Sequence, residues 1–207
     1  MSKTIRGYKC PGIPCLAPAL RQWIKLTEDV AEEWDVLPWV NTERAVLSMF
    51  AGAIWRARGK LFEEFADDKH TYSRRSGRFR RYQGRVDLYF RISRRRFIAE
   101  AKQVLSGCTA EDANPVPKIL KRLTRARQDI RKSRPLGEKR LAIVFAIPYM
   151  RRGAKKIIDN RVTTWVRKVS SIDCDAIAWV FPARSRLALP GDDYCNPGIA
   201  VIIEKVT

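Results

Sequence analysis

Apolar residues recur at helical spacing in four parts of this 207-residue chain. The periodicity predicts helices over residues 19–36, in the segment that follows Pro117 and over residues 158–169. It also predicts a longer helix that is capped by Asn41 or Thr42, covers residues 46–54 and could extend to residue 61. Residues 1–18 are interrupted by prolines and are predicted to form an irregular arm. Strand-like segments separate the helices, so an all-helical fold is not expected.

The strand-like segments predict a sheet. Residues 85–91 and 97–103 alternate between apolar and polar positions, and residues 141–147 form the unbroken apolar run that is typical of a buried central strand. Further strand-like runs cover residues 176–181 and 199–203. The order of the elements predicts an α/β fold in which a mixed sheet is flanked by helices.

The chain is long enough for one domain with a substantial hydrophobic core. We divide it into an N-terminal arm and helix over residues 1–40 and an α/β domain over residues 41–207. Residues 71–83 are rich in Arg, Ser and Gly, and we expect them to form an exposed strand or a mobile loop.

Two neighbouring strands place two acids and a lysine in one small region. Glu100 and Lys102 share a face because strand side chains repeat every two residues. A basic turn over residues 92–96 joins the strands, so antiparallel pairing can bring Asp87 beside them. Asp87 is expected to lie opposite the apolar face of its own strand, which is formed by Val86, Leu88 and Phe90.

The charge of the chain is strongly unbalanced. Lys and Arg total 41 against 22 acids, which gives a net charge of +19. The first 72 residues carry ten bases and ten acids, so the whole excess lies in residues 73–207. Such a basic surface needs a polyanionic partner or has to tolerate strong self-repulsion. Nucleic acid is the favoured partner because neutralising its phosphates releases counterions. No basic amphipathic tail or lipidation signal indicates a membrane partner.

The acids and the lysine suit phosphodiester hydrolysis. Mg²⁺ or Mn²⁺ prefers oxygen ligands, commonly one or two carboxylates plus water. Asp87 and Glu100 are therefore predicted to hold the metal, with the carbonyl group of Ala101 as a third ligand. Lys102 is expected to orient or deprotonate the attacking water, or to stabilise the charge of the transition state.

These residues resemble the PD-(D/E)XK nuclease superfamily, whose core places Asp and Glu-x-Lys on adjacent strands. The match consists of Val86-Asp87 and Glu100-Ala101-Lys102, with valine where the family usually has proline. The resemblance implies a restriction-endonuclease-like fold and metal-dependent cleavage of DNA. It covers the element order from about residue 41 to residue 181.

The resemblance also implies further site residues. Many family members have an acid on the helix before the strand pair, and Glu43 takes that position here, ahead of Glu63 and Glu64. Some members related to recombination nucleases have a glutamine on the helix after the lysine strand. Gln128 could take that role, although its aromatic companion is missing, and Gln103 is a further candidate.

The arginine-rich strand pair and the helix after it are predicted to contact nucleic-acid phosphates. Ten arginines lie between residues 74 and 96, with aromatic side chains between them that could stack on bases. The basic face of the helix could equally be solvated. The predicted contacts are Arg78, Arg80, Arg81, Arg85, Arg94, Arg95, Lys121, Arg122 and Arg125.

Other chemistries have less support. His70 is the only histidine, which argues against sites built on histidine pairs, and we interpret it as a solvated loop residue. Cys10 and Cys15 could form half of a zinc site completed by Cys174 and Cys195, but the second pair is widely spaced. Reduced thiols of a cytoplasmic protein are the preferred interpretation.

The sequence therefore predicts a Mg²⁺- or Mn²⁺-dependent deoxyribonuclease. DNA is the expected partner, RNA is the alternative nucleic acid, and a homodimer or a larger nucleic-acid-processing complex is compatible with the chain. The alternative function is a non-catalytic nucleic-acid-binding accessory protein of a mobile-element, phage or defence assembly. In that case, the acids could be solvated charges on a sheet face.

Overall fold

A computed structural model describes residues 3–34, 37–73, 78–108, 114–133, 137–151, 155–186 and 193–207; the side chains of residues 71–73, 79, 80 and 155 lie outside this description. Within these ranges the strands are β1 (Ile5–Lys9), β2 (Lys60–Ser73), β3 (Arg78–Ile92), β4 (Arg95–Gly107), β5 (Lys139–Arg151), β6 (Ala176–Phe181), β7 (Tyr194–Cys195) and β8 (Ile199–Val206). The α-helices are α1 (Ala17–Glu33), α2 (Glu43–Arg56), α3 (Val116–Ile130) and α4 (Lys155–Val169). Short 3₁₀ turns cover Pro14–Leu16, Pro38–Val40 and Arg184–Arg186.

The strands form one mixed sheet of eight strands in the order β1-β6-β8-β5-β4-β3-β2, with the short β7 paired to β5. β4 and β5 are parallel, and the other neighbours are antiparallel. The prediction of an α/β fold with a helix-flanked mixed sheet is confirmed.

Each face of the sheet has its own hydrophobic core. On one face, Trp23 of α1 and Phe50 of α2 pack with the sheet residues Phe90 and Phe145. On the other face, residues of α3 and α4 such as Trp165 pack with the remaining side chains of the central strands. Residues on both sides of the predicted division at residue 41 share these cores.

Two element predictions were wrong. The N-terminal arm is not irregular throughout, because β1 pairs with β6 at the edge of the sheet. The second helix does not reach residue 61 but ends at Arg56, because Arg58 adopts a left-handed φ of 61°. The N–H groups of Arg58 and Gly59 then donate to the carbonyls of Trp55 and Ile54, which terminates the helix as a Schellman motif.

The turn between β3 and β4 carries backbone strain. Ser93 and Arg94 have φ values of 48° and 63°, the geometry of a type I′ hairpin turn, which Asn-Gly adopts with less strain. We expect the double change Ser93→Asn and Arg94→Gly to raise the free energy of unfolding by about 1 kcal/mol in urea titrations. As a control, Arg95→Gly, at a residue with an ordinary φ, should lower the free energy of unfolding. The strain argument would be contradicted if the variant with glycine at position 94 and the variant with glycine at position 95 changed this free energy equally.

No helix in the described ranges is long and apolar enough to cross a membrane.

Candidate active site

β3 and β4 separate where the predicted site residues lie. Their pairing ends at Leu88 and Ala99, whereas β4 continues along β5 to Gly107. Beyond that point, carboxylates accept the N–H groups that β4 directs toward β3. The N–H of Ala101 donates to Asp87 Oδ2 (2.7 Å), and the N–H of Gln103 donates to Glu43 Oε2 (2.6 Å). Two of the predicted acids are therefore held by the backbone of the Glu-x-Lys strand.

Asp87 lies at a break in the alternation of its strand. Val86 packs in the core of the α3 and α4 face, whereas Leu88 and Phe90 pack in the opposite core. The prediction that these three residues share a face was therefore wrong. Opposite Asp87 in the β2–β3 register, Glu64 has a left-handed φ of 51°, so both strands are distorted at this point. The distortion directs the Asp87 carboxylate sideways to β4.

Glu100 is the buried acid of the site, with 4% of its surface exposed. Lys69 Nζ lies 2.5 Å from its Oε1, and Lys102 Nζ lies 3.7 Å from its Oε2. Burial, and then the charge of Asp87, raise the pKa of Glu100 to about 7 against the opposing effect of the two lysines. Asp87, Glu100 and Lys102 thus form one electrostatic cluster.

Lys69 belongs to this cluster, although the sequence did not reveal it. Its side chain is 11% exposed and crosses β3 at Gly84 on the way from β2 to Glu100. A Cβ atom at residue 84 would lie 2.7 Å from Lys69 Cδ, so the absence of a side chain there opens the path. A glycine inside a strand pattern is the one signal that could have indicated this close approach.

The passage across Gly84 can be tested by a double-mutant cycle. Gly84→Ala should displace the Lys69 stem from Glu100 and lower the free energy of unfolding by about 1–3 kcal/mol. In a Lys69→Ala background the aliphatic chain of Lys69 is absent, and Gly84→Ala should lower the free energy of unfolding by less than about 0.5 kcal/mol. Urea unfolding of the four proteins measures the coupling, and equal costs in both backgrounds would contradict it.

Helix α3 places Asp129 beside the site residue Lys102. The predicted residue of this helix, Gln128, is exposed. Asp129 Oδ2 lies 3.7 Å from Lys102 Nζ, and Asp129 Oδ1 accepts from Lys132 Nζ at 2.8 Å. Partial burial opposes ionisation of Asp129, but the ammonium group of Lys132 outweighs it and keeps the pKa of Asp129 below its usual value. Lys102 is thus held between two acids, Glu100 and Asp129.

The other predicted acids and amides have structural partners. Glu63 accepts from Ser48 Oγ at 3.2 Å, so it faces α2. Glu64 forms ion pairs with Arg44 and Arg85. The side-chain amide of Gln103 donates to the carbonyl of Trp39 (3.2 Å) and so fixes the turn before α2.

The predicted basic contacts are largely exposed. Arg81 pairs with Asp68, and Arg85 pairs with Glu64. The side chain of Arg80 lies outside the described residues. Exposed members are Arg78, Arg81, Arg85, Arg94, Arg95, Lys121 and Arg125, and Arg122 is half-buried.

The structure shows where His70 and the five cysteines lie. His70 lies on β2, where its backbone N–H donates to the carbonyl of Lys132 (2.7 Å), so its assignment to a loop was wrong. None of the five cysteines, all of which lie in the described residues, forms a disulfide. In the described part of the chain, no group of three or more His, Cys, Asp and Glu side chains is arranged to hold a metal ion.

Two carboxylates and a carbonyl nevertheless fit a hard cation that keeps several water ligands. Asp87 uses Oδ2 for the Ala101 N–H, and its Oδ1 has no hydrogen-bond partner among the described residues. The carbonyl of Ala101 points to the same edge of β4 as its N–H, because both groups of one strand residue face the same neighbour. Glu100 provides the second carboxylate.

Comparisons with protein-family models, with curated proteins and with solved structures found no match for this chain.

Proposed function

We propose that this protein is a metal-dependent deoxyribonuclease with a restriction-endonuclease-like core of the PD-(D/E)XK type. The observation that carries the proposal is the convergence of Asp87, Glu100 and Lys102 at the point where β3 separates from β4. A buried acid with a strongly raised pKa beside a second acid is typical of functional sites. The net charge of +19 supports a polyanionic substrate.

The residues have distinct roles in the proposed reaction. A bound Mg²⁺ or Mn²⁺ supplies Lewis-acid stabilisation of the phosphate and a more acidic water. Asp87, Glu100 and the Ala101 carbonyl would hold it. Lys102 positions the water or the phosphate oxygen, since its ammonium group lies beside Glu100 and is steadied by Asp129. Glu43 supports the site through the N–H of Gln103.

A second candidate is a nucleic-acid-binding protein without catalysis. The observation that favours it is the pairing of Glu100 with both Lys69 and Lys102, which already neutralises this carboxylate within the protein. Such a protein would use the basic surface alone, as an accessory subunit of a mobile-element, phage or defence assembly.

A cleavage assay separates the two functions. Labelled linear duplex, circular duplex and single-stranded DNA are incubated with the protein in Mg²⁺, in Mn²⁺ or in EDTA. The nuclease is expected to cut at least one substrate with metal and none in EDTA, and Asp87→Asn should cut none. Binding of DNA without cleavage in either metal would instead establish the accessory function.

A further inference from the structure

Three aromatic rings, two of them exposed, form a cluster on the edge strand β2 and its neighbour β3. Phe65 stacks on Tyr89 with ring centroids 4.8 Å apart, and Phe62 lies 6.4 Å from Phe65 and 6.5 Å from Tyr89. Phe62 is 62% exposed and Phe65 is 42% exposed. We call Phe62, Phe65 and Tyr89 the ring cluster.

The backbone is distorted in a way that creates this cluster. Phe62 and Phe65 are three residues apart, so regular alternation would place them on opposite faces of β2. The left-handed φ of Glu64 shifts the alternation and brings both rings to one face. A non-glycine residue in this conformation costs roughly 1–2 kcal/mol, and the outcome here is the exposure of two phenyl rings to water.

The ring cluster lies on the face of the sheet that carries α3. Tyr89 packs beside the core of that face, and its register partner Ile98 belongs to the same core. Helix α3 covers β4 and β5, while α2 packs on the opposite face of β2. The rings on β2 therefore stand on the open part of this face, beyond the helix.

A row of three cations crosses the sheet next to the rings. Lys60, Arg91 and Arg96 are register partners on β2, β3 and β4, and all three are exposed. They lie two residues from Phe62, Tyr89 and Ile98 and so on the same face. We call Lys60, Arg91 and Arg96 the cation row.

The cation row is electrostatically unfavourable without an anion. Like charges directly opposite on neighbouring strands destabilise a sheet. Arg96 has an acid, Glu138, at 3.9 Å, and the hydroxyl of Tyr89 donates to the same carboxylate at 3.5 Å. Among the described residues, neither Lys60 nor Arg91 has an acidic group within 4.0 Å. Two of the three charges are thus available to phosphates.

The ring cluster lies between the cation row and the candidate active site. Along β3, Arg91 is followed at two-residue steps by Tyr89 and Asp87, a span of about 13 Å at ~3.3 Å per residue. On β2, Phe65 pairs with Val86, the residue next to Asp87. A strand of nucleic acid lying on this path would meet cations, then rings, then carboxylates.

We propose that the ring cluster and the cation row bind a single-stranded segment of the nucleic-acid substrate, with unpaired bases stacked on Phe62 and Phe65. This inference rests on the proposed function, whose substrate class it narrows to single strands or unpaired ends. Base stacking on exposed aromatic side chains needs bases that are not stacked in a duplex, and it is combined with phosphate contacts in proteins that bind single strands. On this open face, the ring cluster can stack on bases and the cation row can contact phosphates.

Binding measurements in EDTA test this inference independently of cleavage. Fluorescence anisotropy is recorded with a 12-nucleotide single strand of mixed sequence and with a blunt duplex of the same length. Phe62→Ala and Phe65→Ala are each expected to weaken binding of the single strand about tenfold. Phe62→Leu keeps an apolar side chain but removes the ring, and it should weaken binding nearly as much.

The salt dependence separates stacking from phosphate contacts. The ring variants should leave the slope of log Kd against log salt unchanged, whereas Lys60→Ala combined with Arg91→Ala should reduce it by about 1.4 for a single strand. Trp55→Ala is the matched control, because Trp55 is 54% exposed on α2 and should not affect binding. Melting temperatures check that each variant is folded.

Several outcomes would overturn the inference. One is tight binding of the single strand by the Phe62→Ala and Phe65→Ala variants, and another is an equal loss on single strand and duplex. A dimer of the wild type that Phe62→Ala converts to a monomer would identify the rings as a contact between copies of the chain. If the wild type binds neither nucleic acid, the proposed function itself fails.

Discussion

Replacing Lys102 with alanine is expected to lower the rate of DNA cleavage by about 10²- to 10⁴-fold and to leave DNA binding nearly unchanged. Lys102 Nζ is the ammonium group that the structure holds between Glu100 and Asp129, at 3.7 Å from each. Its charge acts on the water or on the phosphate that reacts, whereas affinity for DNA comes from many phosphate contacts over the basic surface. Single-turnover cleavage and anisotropy on the same DNA measure the two quantities.

Two further variants test whether the effect is specific to Lys102. Lys25→Ala removes one positive charge from the exposed surface of α1 and should cleave like the wild type. Lys69→Ala removes the other lysine of the cluster and tests whether the two ammonium groups can substitute for one another. If the Lys102→Ala variant cleaved DNA at the wild-type rate, Lys102 would have no part in the reaction.

The second large effect is on stability. In metal-free buffer, Glu100→Gln should become progressively more stable than the wild type as the pH rises from 4.5 to 8. Burial raises the pKa of Glu100 from its ordinary 4.5 to about 7 in the folded protein. This group therefore contributes stability that is fully present below pH 4.5 and is lost as the pH rises through 7. At 1.36 kcal/mol per pKa unit, the loss is about 3 kcal/mol.

The glutamine variant carries no such ionisation, and its amide oxygen can still accept a hydrogen bond from Lys69. Urea unfolding at several pH values measures the difference in the free energy of unfolding between the two proteins. Glu32→Gln, at an exposed position of α1, should show no such trend. A difference that stays constant between pH 4.5 and pH 8 would show that Glu100 is not a buried acid with a raised pKa.

The central part of the candidate site was accessible from the sequence. Period-two alternation placed Glu100 and Lys102 on one face, and the short connection between the strands brought Asp87 close. Glu43 was found through the family resemblance, and it does contact the Glu-x-Lys strand at the N–H of Gln103. Local patterns suffice here because the four residues belong to neighbouring elements.

Other features depend on long-range packing that no local pattern encodes. Lys69 is 31 residues from Glu100, and only the open path at Gly84 connects them. The alternation of β3 breaks at Asp87 because the strand leaves β4 there, so the apolar pattern of residues 86, 88 and 90 was misleading. β1 could not be recognised within the proline-interrupted arm, because residues 5–9 form a strand only by pairing with β6, which lies far away in the sequence.

The central claim is that Asp87 and Glu100 together hold a divalent cation, and titration with Mn²⁺ followed by electron paramagnetic resonance tests it most directly. The wild type is expected to bind one Mn²⁺ per chain at this site, and Asp87→Asn and Glu100→Gln should each lose it. Asp29→Asn, at a surface ion pair of α1 with Arg56, should bind Mn²⁺ like the wild type. Equal Mn²⁺ binding by the Asp87→Asn variant, or none by the wild type at millimolar Mn²⁺, would contradict the claim.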